Sequence, residues 1–409
     1  MEKLMLKEQC IVVVGQQPWD IDIGSNCKDI ALEFSKKNKV LFVNTPLDRI
    51  TAIKRAKEEG VLRRQRIIRH EEEGLLKIND RLFVLYPDCL VESVNWLKPY
   101  FLFDFFNRFN NRKFAKAIAK AIADLNFTDF ILFNDNEIIK CFYLQELLKP
   151  TLSVYYSRDY ILGTPYWRRQ GLISEPRMIK KVDLCLTNSA YLMRYCQQYN
   201  PHSYDVGQGC HLPEPVNEYP VPADMAMIKA PLIGYVGALQ HSRLDTQLLL
   251  KMVTEKLHWQ LVLVGPEDEH FKTSELHACK NVHFLGNKAQ QELPAYVKAF
   301  DVCINPQLLN PLTVGNYPRK IDEYLAFGKK IVATTTDAMM PFKDYVYLAD
   351  SPADFIRQVG KALAEPDDDA VLGARRNLAA SHTWSNAVDA IYRRMEQRLS
   401  ELTTRRKKK

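Results

Sequence analysis

The chain has 409 residues, more than one ordinary core needs, so two domains are expected. A hydrophobic share of 46% with 26% charged residues excludes a disordered or collagen-like class, and no run of about 18 uncharged apolar residues predicts a membrane-spanning helix. The formal charge of +7 does not by itself argue for nucleic acid, because five positive charges fall in residues 405–409 and leave about +2 for the body.

Taken in chain order, the first apolar run, CIVVVG, is too short for a signal-peptide core and predicts a strand. The nine cysteines form no CxxC pair, which suits a reducing compartment and implies no metal site. A cytoplasmic protein is expected. Strands are predicted in the N-terminal half at 11–15, 39–44, 82–87, 129–134, 152–156 and 182–189. Two basic segments lie between them. Residues 49–69 hold eight Lys/Arg against two Glu, and residues 96–120, WLKPYFLFDFFNRFNNRKFAKAIAK, place aromatics ahead of and among cations. The two together read either as a surface that settles on an anionic bilayer or as a core-packed amphipathic helix with a solvated basic face.

Residues 212–231 carry five prolines and no periodicity, and read as an interdomain linker. Beyond it, strands are predicted at 233–237, 260–265, 282–286, 301–306, 330–335 and 344–350, mostly separated by helix-length amphipathic segments. Such near-continuous apolar strands predict parallel sheets covered on both faces. The expected fold class is α/β, with two Rossmann-like doubly wound parallel-sheet domains facing a cleft. The expected boundaries are 1–211, a linker at 212–231, and 232–383. A terminal helix at 384–402 would pack back on the N-terminal domain, ahead of a basic tail at 403–409.

Doubly wound sheets bind ligands outside the carboxyl ends of their strands, so the loops there hold the candidate residues. Gly237 ends a strand in GYVGALQHSRLD; its lack of a side chain would let a ligand approach, and Arg243 could meet a phosphate. A plain βα turn with Asp245 as a helix cap and an exposed arginine is an equal reading. In YPRKIDEYLAFGKKIVATT, residues 317–335, Pro318 fits the first turn of a helix and Gly328 its stop. Ile321, Leu325 and Gly328 share one face. Lys320 and Glu323 lie together on a neighbouring one, as a diphosphate and ribose clamp or as an i, i+3 surface ion pair. Two observations count against a nicotinamide dinucleotide site: GYVGAL is not GxGxxG, and no ribose-binding acid follows at the usual distance.

The stretch PRKIDEYLAFGKKIVAT resembles the donor-domain signature of glycosyltransferases of the GT-B fold, family 4 and its relatives. GYVGALQHSRLDTQLL, LVLVGP, VHFLGNKAQQELPAYVKAFDVCINP and SHTWSNAVDAIYRRM are similar to successive elements of that domain. VVVGQQPWD, VDLCLTNSAYLMRYC and DVGQGCHLPEP resemble N-terminal elements, so the likeness covers most of the chain. It implies a transferase that moves a sugar from a nucleotide diphosphate-sugar to a hydroxyl of a lipid-linked or other saccharide, in surface polysaccharide or glycolipid assembly. The first domain would take the acceptor and the second the donor.

Residue by residue, the resemblance puts Glu323 on the ribose, Lys320 by the phosphates, Gly237 beneath them and Arg243 as a charge partner. It departs at Gly315, where many family members carry a sugar-binding glutamate; Thr313 or Asn316 would supply polar contacts instead. In the N-terminal domain, Gly15 opens a loop where Trp19 would either stack on a sugar or pack as a core tryptophan beside a surface acid, and Arg158 and Asp135 would line the cleft. An inverting reaction would need a base, Asp159 first, Asp20 second and the Asp135–Glu137 loop third; a retaining one would use the leaving diphosphate. Retention is expected. No DxD-like carboxylate pair implies a metal, and no cofactor beyond the donor is expected. The expected partners are the donor, the acceptor and an anionic membrane surface at the inner face of the cell membrane, with no nucleic acid. A non-catalytic sugar-binding or scaffold protein of this fold and a nucleotide-sugar epimerase are the alternatives.

Overall fold

The computed structural model describes residues 6–20, 25–212 and 219–407, with side chains to residue 404 at the C-terminal end. Residues 213–218 of the expected linker, 21–24 of the first loop and the side chains of the basic tail lie outside the described residues. The chain forms two compact units. Unit 1 is Met1–Gly207 with Trp384–Lys409, and unit 2 is Gln208–Thr383.

In unit 1 the strands are β1 (Cys10–Gly15), β2 (Lys39–Val43), β3 (Leu47–Asp48), β4 (Leu75–Lys77), β5 (Leu82–Leu85), β6 (Leu90–Val91), β7 (Phe130–Asp135), β8 (Leu152–Ser157), β9 (Leu184–Thr187) and β10 (Ser203–Asp205). Eight form one sheet in the order β10-β9-β8-β7-β1-β2-β5-β4, parallel except for β4 against β5, while β3 and β6 pair separately. Apolar residues on both faces explain the unbroken valine run of β1. Ile11 and Val13 enter one core and Val12 and Val14 the other. The first core is closed by the helix Asn26–Ser35 and by the helix Trp384–Lys407, which contributes Val388, Ile391, Tyr392 and Met395. Asn38 Nδ2 donates to the buried Tyr392 hydroxyl at 2.8 Å, fastening the C-terminal helix to the start of β2. The second core is covered by the helix Tyr100–Asp124 through Phe114, Ile118 and Ala121.

Unit 2 holds β11 (Leu232–Val236), β12 (Gln260–Val264), β13 (Val282–Gly286), β14 (Val302–Asn305), β15 (Lys330–Thr334) and β16 (Tyr347–Ala349). They form one parallel sheet in the order β13-β12-β11-β14-β15-β16. The first division falls at 207/208 rather than 211/212, because Cys210 N–H bonds His382 O at 2.7 Å and Cys210 bridges Thr383. Strand order reverses between β11 and β14 in unit 2 and between β1 and β7 in unit 1. Those two switch points are where an open α/β sheet leaves a crevice for a ligand. Among the described residues no helix is long and apolar enough to cross a membrane.

Candidate functional site

At the unit 2 switch point β11 is followed by Gly237, whose φ of +140° disfavours any side chain. A Cβ there would stand 3.2 Å from both Lys320 Nζ and Tyr235 Oη, so the glycine leaves room for the lysine head. Beside it Gly265, φ +147°, packs against the Gly237 carbonyl, which a Cβ would meet at 2.0 Å. Both strand ends are bare backbone for a chemical reason: nothing larger fits.

The helix that carries the signature runs Lys320–Ala326. Ile321, Tyr324 and Leu325 are fully buried against the sheet. The Tyr324 hydroxyl accepts from Val236 N–H at 2.9 Å and so holds the end of β11. The helix stops at Gly328, φ +71°, where Gly328 N–H and Lys329 N–H bond the carbonyls of Leu325 and Tyr324 at 2.8 and 3.1 Å.

Of the two readings of Lys320 and Glu323, the i, i+3 surface ion pair does not form. Glu323 instead accepts from Arg319 Nε at 3.2 Å, at i, i+4. Lys320 turns the other way, lies 3.9 Å from the Tyr235 ring centroid and donates to the Tyr235 hydroxyl. Its ammonium has no carboxylate partner among the described residues.

Two loops are tied together at this end of the sheet. Asp245 N–H bonds Pro306 O at 2.9 Å, Leu308 N–H bonds Arg243 O at 2.8 Å, and Asn310 Nδ2 donates to Ser242 O at 2.8 Å. Asp245 also caps the helix Thr246–Glu255 through Leu248 N–H at 2.9 Å. The Arg243 backbone is therefore pinned, while its guanidinium makes no hydrogen bond or ion pair among the described residues.

Thr313 is buried, and its hydroxyl donates to Leu308 O and accepts from Asn310 N–H at 3.1 Å. In this structure its hydroxyl is spent on building the loop. Gly315 is buried in the same turn. Asn316, 8% exposed, leaves both Oδ1 and Nδ2 buried without a protein partner. A buried unpaired amide is a costly feature that a polar ligand would relieve.

Sequence reasoning missed Tyr235 and a network on the other side of the short helix. The fully buried Asp322 meets His382 Nδ1 at 2.7 Å and accepts from the Tyr317 hydroxyl at 2.8 Å. Burial pushes the Asp322 carboxyl up, against the pull of His382 and Tyr317. The three residues fix the helix from behind. His382 is 60 residues away in sequence, so no local spacing announced it. A cavity of about 790 Å³, lined by Trp259, Lys298, Lys329 and Arg376 among others, opens at the opposite, amino-terminal end of the same sheet. It is remote from the switch point and shares with the site only the helix stop at Gly328 and Lys329.

At the unit 1 switch point Gly15 pairs with Asp135 in register. A Cβ on Gly15 would meet Cys27 Sγ at 2.7 Å and Asp135 Cβ at 3.1 Å. The fully buried Asp135 receives Arg158 Nε at 2.9 and 3.1 Å, and Arg158 Nη1 reaches Asp159 Oδ2 at 2.7 Å. Burial raises the Asp135 carboxyl while Arg158 opposes the rise. Both Asp135 and the first-choice base, Asp159, thus share one guanidinium. Glu137 is buried and caps a turn through Ile139 and Lys140 N–H at 2.8 and 3.0 Å, so it is not presented to a substrate. Asp20 is paired with Arg64 at 3.4 Å.

Trp19 packs edge-on against Phe42 at 5.2 Å, and Lys28 Nζ lies 4.9 Å from its ring centroid. Those neighbours pack the ring against unit 1. Asn136, φ +59°, links the loops: its carbonyl accepts from Gln16 Nε2 and its Nδ2 donates to Asp159 O at 3.3 Å. Beneath it Tyr155 Oη lies 3.0 Å from Asn136 Oδ1 and 2.9 Å from Glu175 Oε1, and the Tyr195 hydroxyl donates to Glu175 Oε2 at 3.2 Å. With only neutral hydroxyls for partners, burial pushes the Glu175 carboxyl up to about 7.

Residues 230–365 match the family described as glycosyl transferases group 1, and this stretch is a domain of that kind. A putative teichuronic acid biosynthesis glycosyltransferase, TuaH of Bacillus subtilis (strain 168), is 26% identical over 265 residues, spanning 58% of this chain and 66% of the relative. The sucrose-phosphate synthase of Thermosynechococcus elongatus superposes with a TM-score of 0.65 at 14% identity, covering 97% of this chain and 100% of that one. An α,α-trehalose-phosphate synthase of Burkholderia vietnamiensis gives 0.68 at 11%, covering 97% and 100%. Anabaena Alr3699/HepE, solved in complex with UDP and glucose, gives 0.62 at 13%, covering 95% and 100%. The fold is that of the GT-B glycosyltransferases, as the sequence resemblance implied.

Proposed function

We propose that the protein transfers a sugar from a nucleoside diphosphate-sugar to a hydroxyl of a saccharide acceptor, lipid-linked in surface polysaccharide or glycolipid assembly, at the inner face of the cell membrane. One observation carries the reading. Lys320 and Arg243, neither paired with a carboxylate among the described residues, belong to the elements that follow the two strands of the unit 2 switch point, beside a strand end stripped to glycine. Cations without counter-charges at such a crevice suit a diphosphate. HepE, of the same fold, is described with UDP and glucose, and TuaH is named a putative teichuronic acid biosynthesis glycosyltransferase, which supports the donor class and the setting.

In this reading Lys320 and Arg243 stabilise charge as it develops on the departing diphosphate. Glu323, oriented by Arg319, accepts the ribose hydroxyls, and Asn316 finds its missing partners in the donor. The acceptor oxygen bonds to the anomeric carbon as the bond to the diphosphate breaks, and the acceptor proton passes to the leaving oxygen. Configuration is then retained with no protein base and no metal, consistent with Asp159 and Asp20 each being held by an arginine. The test is thermal stabilisation by a panel of nucleoside diphosphates and nucleotide sugars. A ligand at 100 times its Kd should add about 2.7 kcal/mol. Lys320→Met and Glu323→Ala should each weaken the best ligand at least tenfold. If no ligand stabilises the parent, or both variants bind as the parent does, the reading fails.

A further inference from the structure

The helix Tyr100–Asp124 is inside out over its first half. Phe101, Phe105 and Phe109, at i, i+4 and i+8, are 67%, 54% and 46% exposed, while Asn107 and Asn111 on the opposite face are 2% and 0% exposed. The asparagines are not misplaced. Asn107 and Asn111 donate to Ile139 O at 2.9 and 3.0 Å, and Asn110 exchanges two bonds with the Glu92 backbone at 2.9 and 2.8 Å. Fully bonded amides thus share the buried face with Phe103, and Phe101, Phe105 and Phe109 are left facing out. Phe105 touches Phe106 and Phe109 edge-on at 5.4 and 5.1 Å, so the rings form one cluster rather than scattered surface residues.

The exposed stripe then changes character along its length. Arg112 lies 5.7 Å from the Phe109 ring centroid, and the exposed Lys113 and Lys116 follow. None of these three has a carboxylate partner among the described residues. The one acid of the aromatic half, Asp104, is spent on Tyr143 and Arg108. A second element adds to the same edge. Arg49 pairs with Glu92 at 2.6 Å and Ile50 N–H bonds Ser93 Oγ at 3.1 Å, which sets the helix Arg49–Lys54, with Ile53 70% exposed, beside the segment that Asn110 holds.

We infer that this face of unit 1 seats on an anionic lipid bilayer, with the phenylalanine rings at the acyl boundary and Arg112, Lys113 and Lys116 at the headgroups. The charge decides the occupant. A second copy of the face would set unpaired cations against cations, whereas an anionic bilayer supplies both hydrocarbon and counter-charge. The inference deepens the function proposed above and rests on it for the purpose of the contact. Asn107 and Asn111 are anchored four residues past Asp135, so the aromatic end is fixed to the loop that leaves the unit 1 switch point. A lipid-linked acceptor would meet that crevice without leaving the membrane.

The test is flotation of the full chain with phosphatidylcholine vesicles, with and without about one third phosphatidylglycerol, at low and high salt. The parent should float with the anionic vesicles at low salt and far less with the neutral ones. The triple variant Phe101→Ser, Phe105→Ser, Phe109→Ser should partition at least tenfold less. The triple variant Arg112→Gln, Lys113→Gln, Lys116→Gln should lose most of the salt dependence. Both should unfold at the parent's temperature, because the altered side chains are exposed. Absence of anionic binding in the parent overturns the inference. So does binding undiminished in the phenylalanine variant, or self-association in sedimentation equilibrium that this variant abolishes. Vesicle binding needs no nucleotide, so a failed donor test with intact flotation would sink the transferase reading alone.

Discussion

Glutamine in place of Glu175 should stabilise unit 1, and by an amount that depends on pH. The carboxyl is 1% exposed and its partners are the Tyr155 and Tyr195 hydroxyls, so ionising it in the folded state is penalised by burial. Its folded value is about 7 against an ordinary 4.5. A carboxyl raised in this way binds its proton more tightly in the native than in the unfolded chain. Stability is therefore lost as pH climbs from the ordinary value through about 7, and the loss is complete above it. Integrated over that window, the penalty is about 3 kcal/mol at pH 8 and under about 1 kcal/mol at pH 5. Glutamine copies the protonated acid: its amide can donate to Tyr155 Oη, which then donates to Asn136 Oδ1. Urea unfolding followed by circular dichroism, analysing the transition of unit 1 separately, should show Glu175→Gln ahead by about 3 kcal/mol at pH 8 and nearly level at pH 5. Parallel curves for parent and variant across that range would refute the reasoning.

Asn316→Ala should raise the stability of the ligand-free protein by about 1 kcal/mol, since two buried unpaired polar atoms disappear, yet shrink the thermal shift from a nucleotide sugar. Lower ligand-free stability with an unchanged shift would show that the amide serves packing alone. Ile391→Ala should cost unit 1 about 3 kcal/mol as a buried cavity opens and leave the calorimetric transition of unit 2 in place. Equal loss in both transitions would contradict the assignment of the C-terminal helix to the first core.

The sheets were legible because their strands are buried on both faces and so read as unbroken apolar runs. The strands β3, β4, β6 and β10, of two or three residues, left no such trace. The helix Lys320–Ala326 was placed by its glycine stop and its apolar face, and the partners of its charges were not. Spacing put Lys320 beside Glu323, but a tyrosine 85 residues upstream claimed the lysine and Arg319 the glutamate. The segment 96–120 shows the limit most clearly. A helix with phenylalanines on one side and asparagines on the other has the same period whichever side faces in. Only the Ile139 and Glu92 carbonyls, brought from elsewhere in the chain, choose the asparagines.

The first core contains Ile11, Val13 and Phe34 from the start of the chain and Val388, Ile391 and Met395 from its end. In order of synthesis this means the half made first is the half completed last. Residues 208–383 hold a complete sheet of their own once they clear the ribosome, whereas the opening sheet waits with one face only partly covered, by the helix Asn26–Ser35, until the helix from Trp384 emerges. A chain released before the helix Trp384–Lys407 is made would carry a sound second unit and an open first one. Closure of unit 1 therefore reports that synthesis has passed that one helix.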